Sequence, residues 1–303
     1  MGRKFAPISD RMKVYEIVRK LVDAKGFAGV ALLTEELRTT GCSLPSRETL
    51  RRWALAKTSP FSGKLIFEGR PSEDLSFFLG AWIGDGWADD NDGGKRLLLK
   101  VRSKDFAAEF ARAATVILPK EKPYKVRSIA SENGMWYLVK VTSFMLYDFV
   151  NQPLERLRES IQKYPIGFLR GFFTAEGNPS VSLSQRNGPK LDVGLDLSNS
   201  DYKLLELSRD LLCALGYVSA RIRLVQLEGA ATNLGVANKP GWLLTMLRFR
   251  DAKTFATEIG FADSAKQQKL ADAISFIYEL GAKGAARRWM ALYQKQRGDW
   301  VKK

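Results

Sequence analysis

The chain has 303 residues, with 48 lysines and arginines against 33 aspartates and glutamates, so its formal net charge is +15. It contains no histidine and two cysteines, Cys42 and Cys213. This composition excludes Ser-His-Asp and Cys-His nucleophilic sites, HNH-type nucleases, His-ligated metals and four-cysteine zinc sites. Catalysis would therefore depend on carboxylates, lysines, arginines, hydroxyls and hard metal ions. The positive charge favours a polyanionic partner; a merely basic protein is the alternative.

Residues 1–70 are predicted to form a small all-helical domain. Apolar residues recur at helical spacing from Val14 to Val22, a short helix follows, and Ser46 opens a third helix. This order resembles a helix-turn-helix, in which the last helix contacts DNA. Four polar side chains of that helix are candidate DNA contacts: Arg47, Thr49, Arg51 and Arg52. A helical bundle that only packs on the rest of the protein is the alternative.

Residues 72–162 and 163–281 are predicted to be two copies of one αββαββα unit, which makes the fold α+β. Each copy opens with a glycine-rich helix and continues with a hairpin, a helix, two strands and further helices. The hairpins are predicted to turn at 91–94 and 187–188, where Asn and Gly favour tight turns. Corresponding positions lie 91 to 96 residues apart, which is typical of a duplicated domain and not of a solenoid. Chance similarity of two α+β segments is the alternative.

Residues 282–303 are predicted to be a basic C-terminal tail. A helix is compatible with 285–296, and Trp289 and Tyr293 are available for packing. The sequence leaves open whether the tail covers the second copy or follows the backbone of a bound nucleic acid.

The chain shows no sign of membrane attachment or secretion. Its apolar runs are far shorter than the roughly 18 residues of a membrane span, and its first residues lack the pattern of a secretion or myristoylation signal. We therefore expect an intracellular, cytoplasmic protein with no membrane partner.

The two glycine-rich helices, 78–86 and 169–177, carry the clearest chemical signal. Small residues lie four apart on each: Gly80 and Gly84 on the first, Gly171 and Ala175 on the second. Helices with such ridges can pack backbone against backbone. Each ends on a carboxylate, Asp85 or Glu176, followed by glycine. Packing would bring the carboxylates side by side, where they repel each other unless a divalent cation binds; two packed helices with incidental acids are the alternative.

These helices resemble the nine-residue motif of the LAGLIDADG homing endonucleases. The matching features are the glycine at the third position, the small residue at the seventh, the acid at the eighth and the closing glycine. The resemblance covers about 72–280 and both motifs, which is the single-chain, two-motif form of the family. The chain departs from the motif at the sixth position, with Ile83 and Thr174 instead of acids, and it carries Glu in place of Asp at Glu176.

The resemblance implies a saddle of two four-stranded sheets in the DNA major groove, with metal bound by Asp85 and Glu176 and by the carbonyls of Gly84 and Ala175. It implies a monomeric, intron-encoded enzyme that cuts double-stranded DNA with Mg²⁺ and needs no obligate protein partner. Mn²⁺ is expected to substitute, and Ca²⁺ to support binding without efficient cleavage. The alternatives are a splicing maturase that binds intron RNA and a non-catalytic DNA-binding regulator.

Basic residues on the predicted strands are further candidates. Lys140 and Arg248, on the fourth strand of each copy, are candidates for stabilising charge in the transition state; superposing Trp136 on Trp242 places Met246 opposite Lys140. Seven strand residues are candidate DNA contacts: Arg96, Lys100, Arg102, Lys125, Arg127, Arg221 and Arg223. The alternative for all of them is the solvated face of a half-buried sheet.

Overall fold

A computed structural model describes most of the chain: residues 8–27, 29–39, 44–59, 67–90, 95–120, 122–132, 134–185, 188–218, 220–232, 235–296 and 299–303. The predicted turn at 91–94, and Asn187 of the second turn, lie outside the described residues. Within the described ranges, no helix is both long and apolar enough to cross a membrane.

The N-terminal region is a three-helix unit with its own hydrophobic core. Its helices are α1 (Ile8–Lys25), α2 (Val30–Arg38) and α3 (Arg47–Ala54). Seven buried apolar residues form the core: Val14, Val18, Leu33, Leu37, Leu50, Trp53 and Ala54. Ser46 starts α3 because its hydroxyl oxygen accepts a hydrogen bond from the backbone N–H of Thr49 at 3.2 Å, satisfying one of the free amides of the first turn.

The rest of the chain folds as two repeats with the same order of elements. The first contains α4 (Glu73–Asp85), β1 (Gly86–Asp89), β2 (Arg96–Val101), α5 (Lys104–Ile117), β3 (Val126–Ser131), β4 (Gly134–Thr142), α6 (Phe144–Val150) and α7 (Leu154–Lys163). The second contains α8 (Pro165–Glu176), β5 (Gly177–Ser184), β6 (Lys190–Asn199), α9 (Tyr202–Ala214), β7 (Arg221–Gln226), β8 (Ala231–Thr232), β9 (Gly235–Val236), β10 (Gly241–Met246), α10 (Phe249–Glu258) and α11 (Ser264–Leu292). The predicted α+β fold with a duplicated unit is confirmed.

Each repeat builds one four-stranded antiparallel sheet. The strand orders, β1-β2-β4-β3 and β5-β6-β10-β7, are equivalent. Helices cover one face of each sheet, and a single hydrophobic core runs through both repeats. Phe78 of α4 stacks on Phe110 of α5 at 4.4 Å between ring centroids, and Phe173 of α8 contacts Phe255 of α10 at 4.9 Å. The two motif helices therefore anchor their own repeats as well as each other.

The register of the sheets corrects the superposition made from the sequence. Leu99 pairs with Gly86 and Val139, whereas Leu197 pairs with Gly177 and Leu244. Val139 and Leu244 are therefore equivalent positions, and the next residues, Lys140 and Thr245, are equivalent as well. Matching Trp136 with Trp242 is wrong by one residue. Side chains alternate between faces with a period of two, so a one-residue slip assigns the buried Met246 to an exposed position.

The C-terminal segment packs against the second repeat. α11 bends at Gly281, where φ is +65°, and ends at Leu292. A hairpin of β11 (Tyr293–Gln296) and β12 (Asp299–Lys302) follows, so the helix predicted over 285–296 ends four residues early. The ring of Tyr293 stacks on Trp289 at 3.9 Å, and its hydroxyl donates to Asp272 Oδ2 at 2.6 Å. These contacts, together with the ion pair between Lys269 and Asp299, hold the hairpin on α11.

Candidate active site

The centre of the molecule is the contact between α4 and α8, which run parallel with their small residues facing each other. A Cβ added at Gly80 would lie 2.8 Å from the backbone nitrogen of Phe172, and one added at Gly171 would lie 2.7 Å from that of Ala81. One added at Gly84 would overlap the Cβ of Ala175. The structure thus brings together the four small residues predicted for this interface, and only glycine fits at Gly80 and Gly171 without displacing a backbone.

Asp85 and Glu176 are the last residues of the two paired helices, so the packing sets them next to each other. Gly84 is the residue before Asp85, and a Cβ added to it would lie 3.3 Å from Cγ of Glu176. Glu176 is half-buried; Asp85 opens to solvent, but protein surrounds it closely enough for partial desolvation. Desolvation raises the pKa of Asp85, and desolvation together with repulsion by Asp85 raises the pKa of Glu176 to about 7. The pair therefore concentrates negative charge that the protein only partly compensates.

Three residues outside the motifs donate hydrogen bonds to the end of α8, and none was predicted. Asn199, the last residue of β6, donates to Glu176 Oε1 at 3.2 Å. The Nζ of Lys266 on α11 donates to the carbonyls of Thr174 and Gly177 at 2.8 and 2.7 Å. The backbone N–H of Ala262 donates to Thr174 Oγ1 at 2.9 Å. The departure of Thr174 from the motif has a structural reason, because its buried hydroxyl ties α8 to the corner between α10 and α11.

The oxygen donors at this site fit a hard divalent cation. Among the residues that the structure describes, no group of three or more His, Cys, Asp or Glu side chains could hold a metal, so the protein offers two carboxylates and nearby main-chain carbonyls. Mg²⁺ is commonly held by one or two carboxylates, with water and phosphate oxygens completing its octahedron. A bound cation would also offset the repulsion that raises the pKa of Glu176.

Basic side chains lie on the exposed face of the first sheet. Lys100 and Arg102 contact the ring of Trp136, at 5.2 and 4.5 Å from its centroid. Arg96 forms a 3.5 Å ion pair with Asp89. Lys140 is exposed opposite Leu98, which pairs in turn with Trp87, two residues after Asp85. Lys125 and Arg127 are exposed at the outer strand of the same sheet.

The equivalent face of the second sheet is chemically different. Arg221 and Arg223 are exposed on β7, opposite Thr245 and Leu243 of β10. The central strand β6 carries Asp192 and Asp196 on this face, and β5 carries three serines: Ser180, Ser182 and Ser184. The exposed face of the first sheet is therefore mainly basic, and that of the second sheet is mixed polar.

The position of Arg248 is a correction. β10 ends at Met246, and Arg248 is the exposed N-cap residue of α10 instead of a strand residue. The strand stops because its pairing with β6 ends at Met246, opposite Leu195. Since Thr245 is the counterpart of Lys140, the two basic side chains do not occupy equivalent places, and only Lys140 lies on a strand.

On the N-terminal unit, α3 exposes three of the four side chains predicted to contact DNA. Arg47, Arg51 and Arg52 are exposed, whereas Thr49 is half-buried. The hydroxyl of Thr49 lies 2.9 Å from that of Ser46 and takes part in capping the helix. The arginines therefore form the accessible basic surface of α3.

Comparison with known proteins finds a family model and a relative to which the chain is similar. A model of the LAGLIDADG-like domain matches residues 163–260. The uncharacterized protein MJ0398 of Methanocaldococcus jannaschii is 26% identical over 231 residues, which are 74% of this chain and 80% of that protein.

Solved structures are also similar. A crystal structure of I-DmoI in complex with DNA and Mn is 22% identical and covers 63% of this chain and 98% of I-DmoI, with a TM-score of 0.44. The K262A mutant of I-SmaMI is 13% identical and covers 71% of this chain and 96% of that chain, with the same TM-score of 0.44. The second repeat thus matches the LAGLIDADG-like domain over residues 163–260, and both motif helices are paired at the centre of a duplicated fold, so the chain is similar to the LAGLIDADG proteins.

Proposed function

We propose that the protein is a site-specific double-strand DNA endonuclease that uses a divalent cation, with Mg²⁺ as the natural cofactor. One observation carries the proposal: Asp85 and Glu176 lie side by side at the ends of two closely packed helices, and the pKa of Glu176 is raised to about 7. A non-catalytic DNA-binding protein has no need to crowd two carboxylates at this position. Mn²⁺ is expected to replace Mg²⁺, and Ca²⁺ to support binding with little cleavage.

In this proposal Asp85 and Glu176 hold the cation, assisted by the carbonyls of Gly84 and Ala175. The bound cation would lower the pKa of water and stabilise the charge that develops on the phosphate oxygens. Asn199 orients the Glu176 carboxylate through its 3.2 Å hydrogen bond. Lys140 is exposed on β4 opposite Leu98, which pairs with Trp87, two residues after Asp85. It would contribute positive charge near the scissile phosphate.

The two sheets are proposed to bind the target in the major groove. Exposed lysines and arginines of the first sheet suit phosphates and guanine edges, whereas the carboxylates and serines of the second sheet suit cytosine amino groups and mixed hydrogen bonding. The seven strand residues predicted as DNA contacts remain the candidates for this role. An asymmetric pair of surfaces fits a target site that is not a perfect palindrome.

Cleavage of supercoiled plasmids that carry the intronless insertion site of the host gene tests the proposal. Linear product in Mg²⁺ is expected, and its ends locate the cut on each strand. Nicked product alone would mean that one of the two strands is not cut. Binding in gel shifts without cleavage in Mg²⁺ or Mn²⁺ would contradict the endonuclease and support a DNA-binding regulator.

The arginines of α3 are proposed to bind DNA phosphates, which gives a prediction about salt. Replacing Arg51 and Arg52 together by alanine should weaken binding and reduce the slope of log K against log[salt] by about 0.9 for each phosphate that is no longer neutralised. The rate constant for cleavage of bound DNA should change little. Fluorescence anisotropy at several salt concentrations measures the slope. The matched control replaces the exposed Lys104 and Lys203, at the starts of α5 and α9, by alanine. An equal change of the salt slope in both variants would mean that net charge alone causes the effect, and would contradict DNA contact by α3.

The raised pKa of Glu176 predicts how stability depends on pH without divalent metal. Because its folded-state pKa is about 7, against an ordinary value of 4.5, the folded protein holds this proton more tightly than the unfolded chain does. Stability is therefore lost as the pH rises from about 4.5 to 7. Glu176→Gln should remove this loss. The free energy of unfolding of the variant, relative to wild type, should therefore rise by on the order of 2 kcal/mol from pH 5 to pH 8, or roughly 4 °C in Tm. Calorimetry in EDTA at both pH values measures it, with the exposed Glu159→Gln as control; a Tm difference that does not change with pH would contradict the prediction.

A further inference from the structure

Lys266 is the one cation in contact with the end of a motif helix among the residues described. It lies in the first turn of α11, whose N-cap residue is Asp263. Its Nζ donates to the carbonyl of Thr174 at 2.8 Å and to that of Gly177 at 2.7 Å. These carbonyls lie two residues before and one residue after Glu176. The ammonium group therefore binds the backbone on both sides of Glu176.

The two hydrogen bonds complete the end of α8. The last four carbonyls of a helix have no partner within it. The N–H of Gly177 donates to the carbonyl of Phe173, and the Nζ of Lys266 donates to the carbonyl of Thr174. A cation is also favoured there by the helix dipole. Lys266 leaves the carbonyl of Ala175, which lies between its two acceptors, available at the candidate metal site.

The segment that carries Lys266 is itself held in place. Gln267 accepts a hydrogen bond from the N–H of Phe261 at 2.8 Å and donates to the carbonyl of Ala256 at 3.0 Å. The N–H of Ala262 bonds the hydroxyl of Thr174 at 2.9 Å. The corner between α10 and α11 is therefore fixed both internally and to α8, so that Lys266 reaches the helix end from a rigid base.

The end of α4 lacks this arrangement. Its equivalent carbonyls belong to Ile83 and Gly86, and within the described part of the chain no side chain donates to either of them. The Lys266 charge attracts both carboxylates, but its hydrogen bonds reach only the backbone on either side of Glu176. The two halves of the site differ in how their acids are supported.

We propose that Lys266 is a positioning residue that sets the end of α8, and through it the Glu176 carboxylate, in a conformation that binds the divalent cation. This inference rests on the proposed endonuclease function for its activity readout, but not for its metal-binding readout. Because its hydrogen bonds support only the Glu176 side of the site, removal of Lys266 should impair cleavage of one DNA strand more than the other.

The test compares full-length Lys266→Met, Lys266→Arg and a control, Lys283→Met, which removes an exposed lysine from the same helix. Mn²⁺ affinity is measured by electron paramagnetic resonance without DNA. Removing a nearby positive charge by itself would tighten Mn²⁺ binding, whereas loss of positioning would weaken it. We expect Lys266→Met to bind Mn²⁺ at least fivefold more weakly, Lys266→Arg to stay within threefold of wild type, and the control to be unchanged.

The second readout follows both DNA strands with separate end labels. Lys266→Met should accumulate nicked DNA, with the slower strand cut at least tenfold more slowly than in wild type. Unchanged or tighter Mn²⁺ binding by Lys266→Met would overturn the proposal, as would equal slowing of both strands. If the methionine variant does not fold, Lys266→Ala, which also removes both hydrogen bonds, replaces it with the same expected directions. If wild type binds Mn²⁺ but cuts neither strand, the proposed endonuclease function is contradicted. The Mn²⁺ affinities of the variants then decide by themselves whether Lys266 is a positioning residue.

Discussion

Asp85→Asn and Glu176→Gln are each expected to lower the rate of DNA cleavage by about a thousandfold or more, with DNA affinity retained. Each substitution keeps the shape of the side chain and removes the charge that holds the cation. Losing several kcal/mol of transition-state stabilisation corresponds to about tenfold for each 1.4 kcal/mol. Single-turnover cleavage in saturating Mg²⁺ measures the rate, and anisotropy in Ca²⁺ measures the affinity.

The matched control for this prediction is Glu159→Gln, which neutralises an exposed carboxylate on α7. It should cleave at the wild-type rate, because it changes the net charge by the same amount away from the helix ends. Cleavage by Asp85→Asn or Glu176→Gln at more than about a tenth of the wild-type rate would remove the proposed site.

Gly80→Ala and Gly171→Ala are expected to destabilise the protein and separate the two acids. The added methyl group would lie within 3 Å of backbone atoms of the opposite helix in both cases, and backbone can yield only if the helices move apart. Overpacking costs about 1–3 kcal/mol and sometimes more, against about 1 kcal/mol regained from the helix propensity of alanine. We expect Tm to fall by roughly 5 °C in each single variant and further in the double variant.

Cleavage measured well below Tm shows whether the helix spacing matters for chemistry. Variants that remain folded should still lose at least about tenfold in rate, because a small displacement of catalytic groups is costly. Gly241→Ala is the control: its methyl group would meet only side-chain atoms of the outer strand, the nearest at 3.1 Å. A Gly171→Ala variant as stable and active as this control would contradict the close packing of α4 and α8.

The motif helices, the duplicated unit and most of the sheet faces follow from the sequence by itself. The small-residue ridge and the terminal acids recur at the period of a helix, so their placement on one face follows from 3.6 residues per turn. Leu97 and Leu99 alternate with Arg96, Leu98 and Lys100 and are fully buried, as a period of two predicts. These are local patterns, and local geometry is sufficient to interpret them.

Tertiary structure decided the pairing register and the residues that support Glu176. The match of Trp136 to Trp242 failed because a strand has no local mark of its register, and a slip of one residue exchanges the two faces. Lys266 reaches α8 from about 90 residues further along the chain, and no periodicity links such positions. Which lysine among many approaches the helix end depends on how α11 packs across the second sheet, and that packing is a property of the whole core.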